Sequence, residues 1–368
     1  MKPKIVLSGV NIRESGTLVI FREALASLAR EYGDRFEIVA LVKSRQLFDT
    51  PGVTYLEFPH IVGSWPARLR FEYWSARGIS AELKPKLWLS LHETTPNVSA
   101  DIQAVYCHNV SEFYRITPSE FLEDWRFGMF TLFFRLIHRI NIRKNHFVIV
   151  QGEWIREIFE ARYGISNVVV APPELSLGDA PREAGRERKP GPFRFFYPFV
   201  PRPYKNAELC LEAARRLERE GVDNFELWLT MDAGTSKYAA RVAKAYSGLG
   251  SVRWMGLMPR QQVLELYADT DCLLFPSRLE TSGLPITEFK RLGKPMLLAD
   301  LPYARECAGG HARTCFFDPA DAQSLARLMR EAVNGGDIFH EIPRTAFREP
   351  YAGSWAELWG ILLGAGGL

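Results

Sequence analysis

Two successive series of short apolar segments, separated by helix-type segments, run along these 368 residues. Such runs, bounded by turn residues, are typical of strands buried in a parallel sheet. The first series begins with KIVLSGV and a helical pattern from about Leu18 to Tyr32, and continues with FEIVALV, KLWLSLH, QAVYCHN, HFVIVQG and NVVVAPPE. The second series contains FRFFYPFV, FELWLTM, SVRWMG, DCLLFPS and PMLLAD. Strands that alternate with helices predict an α/β fold with helices on both faces of a parallel sheet.

The chain is too long for one ordinary hydrophobic core, since domains average roughly 150 residues. A charged segment rich in proline and glycine, without apolar periodicity, separates the two series and is typical of a linker. We therefore predict a first domain at 1–178, a linker at 179–192 and a second domain at 193–345. The remaining residues, 346–368, contain SWAELWGILLG, which predicts an apolar final helix.

The composition is that of a soluble globular protein, with 47% hydrophobic and 24% charged residues. A net charge of +3 is too small to indicate nucleic-acid binding. The first apolar stretch is too short for a signal peptide, and no stretch reaches the roughly 18 apolar residues of a membrane-spanning helix. The cysteines are odd in number and lack metal-ligand spacing, which favours reduced cysteines in a cytoplasmic protein: Cys107, Cys210, Cys272, Cys307 and Cys315.

The segment ETSGLPITE, from Glu280 to Glu288, places two carboxylates around a Gly-Leu-Pro that can open a helix. The apolar run CLLFPSR precedes it, and TEFKRLG followed by KPMLLAD comes after, so the pattern predicts strand, loop, helix and strand. A loop at the carboxyl end of such a strand is suited to bind phosphate. Carboxylates beside a phosphate are useful if they bind hydroxyl groups, so the expected ligand carries both phosphate and sugar.

The longer stretch PSRLETSGLPITEFKRLGKPMLLADLPYAREC resembles the donor-binding segment of the family-four retaining glycosyltransferases, including bacterial mannosyl and hexosyl transferases of surface-polysaccharide assembly. The resemblance implies a GT-B fold, in which two Rossmann-like domains face a central cleft and the last helix crosses back to the first domain. It also implies a nucleoside diphosphate sugar as donor and transfer with retention of anomeric configuration. The donor-binding residues that it implies in this segment are Glu280, Ser282, Gly283, Leu284, Pro285 and Glu288, with Glu280 also catalytic.

Lys205 follows the first strand of the second domain and precedes the helix AELCLEAARRLERE. The family places a lysine there against the donor diphosphate, where a fixed cation would stabilise charge on the leaving group. The start of a helix is the wrong end for a structural cation, which favours function for Lys205. Relatives usually carry an arginine five residues earlier, where this chain has Val200, so Arg202 could replace it only if the loop path differs.

Three residues of the first series are further candidates. Gly16, in the loop SGVNIRESG, matches the family's glycine-bearing loop and allows close approach of a substrate. His108 follows the strand QAVYC, where the family places a histidine facing the transferred sugar. A lone histidine is more often structural, and His92, after KLWLSL, is the weaker candidate.

Two segments combine aromatic or apolar residues with basic ones. Residues 65–88 contain three tryptophans and five lysines or arginines, a combination that suits an anionic membrane surface or a lipid-linked acceptor. Residues 121–144 show apolar residues at helical spacing followed by basic residues. For the second segment, packing against the sheet is the favoured interpretation.

We therefore expect a retaining glycosyltransferase that moves a hexose, with mannose favoured, from a nucleoside diphosphate sugar such as GDP-mannose to a glycan or polyprenyl-linked acceptor of lipopolysaccharide or O-antigen type. We expect no metal and no cofactor, and a cytoplasmic location with peripheral attachment to the inner face of the membrane. The alternatives are an inactive GT-B nucleotide-sugar-binding protein and a GT-B nucleotide-sugar epimerase. No strand is followed by Gly-x-Gly-x-x-Gly, which disfavours a dinucleotide oxidoreductase.

Overall fold

The computed structural model describes residues 2–12, 16–173 and 190–364. The chain divides into two compact units. Unit 1 comprises Met1–Phe113, Arg126–Leu175 and Phe347–Leu368, and unit 2 comprises Tyr114–Trp125 and Ser176–Ala346. The predicted linker at 179–192 lies almost entirely outside the described residues, so its conformation stays a prediction.

Unit 1 is built on a seven-stranded sheet in the order β3-β2-β1-β4-β5-β6-β7, and every neighbouring pair is parallel. Its strands are β1 Lys4–Gly9, β2 Glu37–Val42, β3 Val53–Glu57, β4 Pro85–Ser90, β5 Ile102–Cys107, β6 Phe147–Val150 and β7 Val168–Val170. The helices that precede β7 in the chain are α1 Gly16–Tyr32, α2 Trp65–Arg70, α3 Ala76–Leu83, α4 Pro118–Glu123, α5 Trp125–Arg139 and α6 Glu153–Tyr163. Of these, α4 belongs to unit 2.

Helices cover both faces of this sheet, as the sequence predicts. On one face, alternate strand residues such as Ile5 and Leu7 form a buried cluster with α1. On the other face, Val6 and Trp88 pack with Phe71 and Ala76, around the π-helical turn that joins α2 to α3. Except for the edge strand β3, the strands are buried on both sides, which explains why their sequences are continuous apolar runs.

The final helix, α13 Trp355–Gly364, belongs to unit 1. Its residues Trp355, Leu358, Trp359 and Leu362 are buried in the same cluster as α1. The chain therefore returns to unit 1 after it has completed unit 2, and the predicted final helix is confirmed.

Unit 2 contains a six-stranded parallel sheet in the order β10-β9-β8-β11-β12-β13. Its strands are β8 Phe193–Tyr197, β9 Phe225–Leu229, β10 Val252–Trp254, β11 Cys272–Phe275, β12 Met296–Ala299 and β13 Thr314–Phe317. Its further helices are α7 Ala207–Arg219, α8 Lys237–Ala245, α9 Arg260–Asp269, α10 Leu284–Lys290, α11 Pro302–Ala308 and α12 Ala322–Val333.

Both sheets have the strand order of a doubly wound Rossmann fold, in which the order reverses between two central strands. The reversal lies between β1 and β4 in unit 1 and between β8 and β11 in unit 2. Ligands of such sheets bind beyond the carboxyl ends of the strands at this point, which we call the switch point. None of the helices in the described ranges is long and apolar enough to cross a membrane.

Candidate functional site

Lys205 and Glu280 meet at the switch point of unit 2. The loop after β8 leads to Lys205, and the loop after the neighbouring strand β11 leads to Glu280. The Lys205 Nζ and Glu280 Oε1 atoms are 2.5 Å apart. The side chains are 16% and 14% exposed, so the pair is largely buried but is not fully enclosed. Two residues that are 75 positions apart in the sequence thus form one ion pair at the place where ligands of this fold bind.

Backbone-directed hydrogen bonds fix the loop that carries Lys205. The Tyr197 hydroxyl donates to the Lys205 carbonyl at 2.8 Å. Asn206 has a φ of 58°, a left-handed conformation that asparagine tolerates better than most residues. Its side-chain amide donates to the carbonyls of Pro276 and Pro319 at 3.3 and 2.8 Å. The loops after β8 and β11 are therefore tied to each other independently of the ion pair.

The loop that carries Glu280 ends at Gly283, which directly precedes α10 and has a φ of 48°. A Cβ atom there would lie 3.2 Å from the Cys307 Sγ and 3.3 Å from the Ile286 Cδ1, so a larger residue would be both strained and crowded. Cys307, on α11, donates to the Ser282 carbonyl at 3.1 Å. Pro285 occupies the first turn of α10, and the predicted order of strand, loop, helix and strand is confirmed.

Glu288 belongs to a second polar group. It lies just over one turn into α10 and is buried. Its carboxylate accepts hydrogen bonds from the Arg260 Nε at 2.9 Å and from the Tyr267 hydroxyl at 3.3 Å. Burial, and then the charge of Glu288, raise the pKa of Tyr267, so the phenol remains a donor. The two signature glutamates thus have different surroundings: Glu280 pairs with Lys205, and Glu288 is held by Arg260 and Tyr267.

Arg278, the last residue of the segment CLLFPSR, links the two loops. Its backbone N–H donates to the Tyr204 carbonyl at 2.8 Å. Its guanidinium Nη2 donates to the Pro203 carbonyl at 3.2 Å and to the Glu120 Oε1 at 2.5 Å. Nothing in the sequence distinguishes this arginine from an ordinary turn residue, because its partners come from distant parts of the chain.

Ion pairs also explain why Tyr114–Trp125, inside the predicted first domain at 1–178, groups with unit 2. Besides Glu120, Glu123 accepts from the Arg241 Nε at 2.5 Å. Arg202 is half exposed and lies 3.9 Å from Asp124. Burial opposes ionisation of Glu120, but hydrogen bonds from Thr117 and Tyr114 and the charge of Arg278 outweigh it and lower its pKa. Arg202 is therefore directed to this segment, and its role as a donor ligand stays a prediction.

The candidates of unit 1 are Gly16 and His108. Gly16 is the first residue of α1, and a Cβ atom there would meet no other atom within 4 Å, which leaves room beside the backbone. Residues 13–15, in the loop that precedes it, lie outside the described residues.

His108 has both ring nitrogens occupied. Its Nε2–H donates to the Leu91 carbonyl at 3.2 Å, and its Nδ1 accepts from the Gln151 amide at 3.0 Å. The ring also stacks on Tyr106, with centroids 4.4 Å apart. Burial lowers the pKa of His108 to about 4, although the hydrogen bond to Leu91 opposes the shift. The imidazole is therefore neutral and fixed in one tautomer, which suits positioning better than proton transfer.

His92 is part of a buried cluster at the switch point of unit 1. Its Nε2 is 3.0 Å from the Ser8 Oγ of β1, and its Nδ1 is 3.2 Å from the Glu72 Oε1. The Arg68 Nη2 donates to the His92 carbonyl at 2.5 Å. Burial raises the pKa of Glu72 to about 7, against the opposing effects of Arg68 and of a hydrogen bond from Thr94. The weaker histidine candidate is thus a packed residue inside unit 1.

Residues 65–88 divide between buried and exposed positions. Arg68, Phe71, Glu72 and Trp88 are buried, and among the aromatic residues of this segment Trp74 is prominently exposed, at 70%. The interpretation of the whole segment as a membrane-facing surface is therefore wrong for its buried members, because they pack beneath the sheet and in the Glu72 cluster. Its exposed basic residues, such as Arg70 and Arg77, remain available to a partner.

Comparison with known proteins agrees with the sequence resemblance. The family model described as "Glycosyl transferases group 1" matches residues 182–348, which is nearly the whole of unit 2. The serotype-specific mannosyltransferase WbdA of Escherichia coli is 25% identical over 157 residues, which cover 42% of this chain and 19% of WbdA. The match thus spans about a fifth of the length of that relative.

Two solved structures illustrate the similarity in fold. The lipopolysaccharide outer core galactosyltransferase WaaB, in its apo form, has a TM-score of 0.61 and 13% identity, covering 90% of each chain. Anabaena HepE in complex with UDP-glucose has a TM-score of 0.60 and 13% identity, covering 98% of this chain and 95% of HepE. These similarities confirm the predicted GT-B fold, and the family match confirms the resemblance to glycosyltransferases in the segment that carries Lys205, Glu280 and Glu288.

Proposed function

We propose that this protein is a retaining glycosyltransferase that moves a hexose, with mannose favoured, from a nucleoside diphosphate sugar to a glycan or lipid-linked glycan of surface-polysaccharide assembly. The observation that carries the proposal is the Lys205–Glu280 pair at the switch point of unit 2, 2.5 Å apart and partly exposed. The sugar and acceptor class follow the sequence resemblance and the similarity to WbdA.

The two charges of the pair suit the two halves of such a donor. In the proposed complex, the Lys205 ammonium contacts the diphosphate and stabilises the negative charge that builds up as the leaving group departs. Glu280 accepts hydrogen bonds from hydroxyl groups of the sugar, which lie next to the diphosphate. In the free protein Lys205 and Glu280 bind each other. In the complex the diphosphate replaces Glu280 as the partner of Lys205, and the sugar hydroxyls replace Lys205 as the partners of Glu280.

Glu288 binds the ribose hydroxyls in this proposal. It is preorganised by Arg260 and Tyr267, and Arg260 is half exposed, so this arginine can move aside while Tyr267 keeps the carboxylate in place. A buried carboxylate that exchanges one charged partner for two hydroxyl donors stays satisfied. Ser282, Gly283, Leu284 and Pro285 shape the loop between the two glutamates.

The bond between the anomeric carbon and the diphosphate oxygen breaks in the reaction, and the bond to the acceptor oxygen forms on the same face of the sugar. The acceptor proton goes to the departing phosphate oxygen, so a protein base is not required. The sequence resemblance implies that His108 faces the transferred sugar, and its neutral ring, bonded at both nitrogens, is not suited to act as that base. We expect activity to survive EDTA, because the lysine supplies the positive charge at the diphosphate.

A ligand screen tests the proposal. Thermal unfolding is measured with a panel of nucleoside diphosphates and their sugars. A ligand at a hundred times its Kd adds about 2.7 kcal/mol to the free energy of unfolding, which raises Tm by several degrees. The donor found in this way is then incubated with lipid-linked glycan acceptors, and the anomeric configuration of the product is read by NMR. Stabilisation without turnover would indicate an inactive binding protein, and interconversion of the donor sugar without acceptor would indicate an epimerase.

A further inference from the structure

Glu93 has a backbone conformation that its residue type rarely adopts. It follows β4 at the switch point of unit 1, and its φ is 69°. The Thr94 N–H donates to the His92 carbonyl at 2.9 Å across Glu93, so these three residues form a γ-turn of the strained kind with positive φ. A residue with a Cβ atom is disfavoured in this region, so the turn lowers the stability of the fold.

The other non-glycine residues with positive φ in the part of the chain that the structure describes have local explanations. Asn141 and Asn206 are asparagines, which tolerate the left-handed region, and Lys84 ends α3, where a left-handed residue is common. Glu93 does not end a helix, and its side chain does not favour the turn. Strain of this kind persists where the surrounding structure enforces it, and it is concentrated at functional sites.

The buried cluster around His92 enforces the turn. The His92 carbonyl, which closes the turn, also accepts from the Arg68 Nη2 at 2.5 Å. The His92 Nε2 is 3.0 Å from the Ser8 Oγ, and its Nδ1 is 3.0 Å from the Thr94 Oγ1. His92 and Thr94 are buried, whereas Glu93 between them is partly exposed. The cluster therefore fixes both ends of the turn and directs its middle residue outward.

The turn places the Glu93 carboxylate beside His108. The backbone of His108, which follows the neighbouring strand β5, forms a hydrogen bond with this carboxylate. Burial raises the pKa of Glu93, and the charges of Arg68 and His138 and this hydrogen bond oppose the shift. The His108 ring is neutral and partly exposed. A carboxylate beside a neutral ring is suited to accept hydrogen bonds from the hydroxyl groups of a sugar.

We propose that Glu93 binds the glycan acceptor, by accepting a hydrogen bond from a hydroxyl group next to the one that attacks the donor. This role rests on the proposed function, because the resemblance that implies a donor sugar also implies that His108 faces it. With the neighbouring hydroxyl held by Glu93, the attacking oxygen is oriented toward the anomeric carbon. The attacking hydroxyl passes its proton to the departing phosphate oxygen, so Glu93 takes no proton.

Two variants at Glu93 and one matched control separate binding from folding. Glu93→Gln removes the charge and keeps the size, and Glu93→Gly removes both the carboxylate and the strain of the turn. Lys84→Gly is the control, because Lys84 is the left-handed residue at the other end of β4. Thermal unfolding should give Glu93→Gly a Tm equal to or above that of Lys84→Gly. A Tm several degrees lower would show that the carboxylate stabilises the fold, and it would overturn the proposal.

Acceptor binding is measured by saturation-transfer NMR with the methyl α-glycosides of mannose, glucose, galactose and N-acetylglucosamine, at saturating nucleoside diphosphate. We expect the wild type and Lys84→Gly to bind at least one glycoside, and Glu93→Gln to bind it about tenfold more weakly or worse. Unchanged glycoside affinity in Glu93→Gln, or no glycoside binding by the wild type, would overturn the proposal.

Calorimetric titration with the nucleoside diphosphate and with its sugar completes the test. Both affinities should be the same in the wild type and in Glu93→Gln. Weaker binding of the nucleotide sugar alone would assign Glu93 to the donor sugar and would overturn its role toward the acceptor. If the wild type binds no nucleotide, the proposed function fails, and the role of Glu93 with it. If the wild type binds both nucleotide and glycoside and Glu93→Gln does the same, the proposed function stands and Glu93 is not an acceptor residue.

Discussion

The two switch points of this molecule have the same backbone topology, but the charged side chains are partly exposed at one and buried at the other. In unit 2, Lys205 and Glu280 follow the two central strands and are both partly exposed. In unit 1, Ser8 lies on one central strand and His92 follows the other, and they join Arg68 and Glu72 in a cluster whose charged side chains are at most 4% exposed. One Rossmann sheet thus presents its charges to a ligand, and the other encloses them.

Burial decides the difference. A buried charge must be neutralised or fully bonded, and Glu72 responds with a pKa of about 7, while His92 has a pKa well below its ordinary value, chiefly because of burial and then because of Arg68. Such a cluster defines the position of α2 relative to β4, and it is not available for exchange with a substrate. The pair in unit 2 is less buried than this cluster, and in the proposed function each of its charges exchanges its partner for a group of the ligand.

The largest effect is expected from Glu280→Gln. The amide keeps the size of the side chain but loses the charge that binds and orients the sugar hydroxyls, so kcat should fall by roughly 10²- to 10³-fold. Steady-state kinetics with the donor found in the ligand screen measure this loss. Glu265→Gln, which changes an exposed acid on α9 of the same unit, is the control. A rate within twofold of wild type would remove Glu280 from the reacting site.

A second prediction concerns the enclosed charges of unit 1. The folded-state pKa of Glu72 is about 7, above the ordinary value of 4.5, so the stabilising contribution of its protonated form is lost as pH rises through 7. The wild type should therefore lose about 2 kcal/mol of its free energy of unfolding through this group between pH 5.5 and 8.5, and Glu72→Gln should not. The free energy of unfolding of the variant minus that of the wild type should rise by the same amount. His92 titrates in both proteins, so it largely cancels in the difference.

Urea unfolding at both pH values measures this change. The control is Glu82→Gln, at an exposed acid on α3, and its difference from wild type should not depend on pH. If Glu72→Gln is equally destabilising at both pH values, the carboxylate is ionised throughout and the contrast between the two switch points is weaker than burial suggests.

The smallest of the mutational effects is expected at Glu288. Glu288→Gln should weaken binding of a nucleoside by roughly 10- to 100-fold, as one charged hydrogen bond to the ribose is lost, and should leave kcat nearly unchanged. Calorimetric titration with ribonucleoside and 2′,3′-dideoxyribonucleoside diphosphates separates this contact from others, because the dideoxy ligand should bind wild type and variant alike. Equal weakening for both ligands would show that Glu288 acts through the packing of α10.

Most of the fold could be predicted from the sequence, and the strands that were missed share one property. β3 and β13 lie at the edges of the two sheets, and their sequences VTYLE and TCFF are less buried than the apolar runs of the central strands. Central strands are recognisable because both of their faces are buried. The start of α10 was predictable because Gly283 and Pro285 mark it.

The residues of the site were predictable only where they stand in a recognisable local sequence motif. Glu280 and Glu288 stand in one segment, and Lys205 at the start of a helix. The contacts of Arg278 with Glu120, and of His108 with Gln151, join residues 158 and 43 positions apart, for which a single sequence holds no signal. The same limit explains why 65–88 and α5 looked alike as mixtures of aromatic and basic residues, since side-chain exposure depends on tertiary packing.

The central claim is that a diphosphate binds the Lys205 ammonium and displaces Glu280 from it. It is tested most directly by calorimetric titration of wild type, Lys205→Ala and Glu280→Gln with a nucleoside diphosphate and with its nucleoside, with Lys237→Ala as a control for an exposed lysine of unit 2. We predict that Lys205→Ala lowers the affinity for the nucleoside diphosphate at least tenfold, because without the cation the Glu280 carboxylate repels the diphosphate. Glu280→Gln should leave the affinity for the nucleoside diphosphate equal to that of the wild type or higher. Nucleoside binding should be unchanged in both. Two results would contradict the account, because each would show that the pair only holds the loops together. The first is an equal loss of affinity for the diphosphate in both variants. The second is an equal loss of affinity for nucleoside and diphosphate in Lys205→Ala.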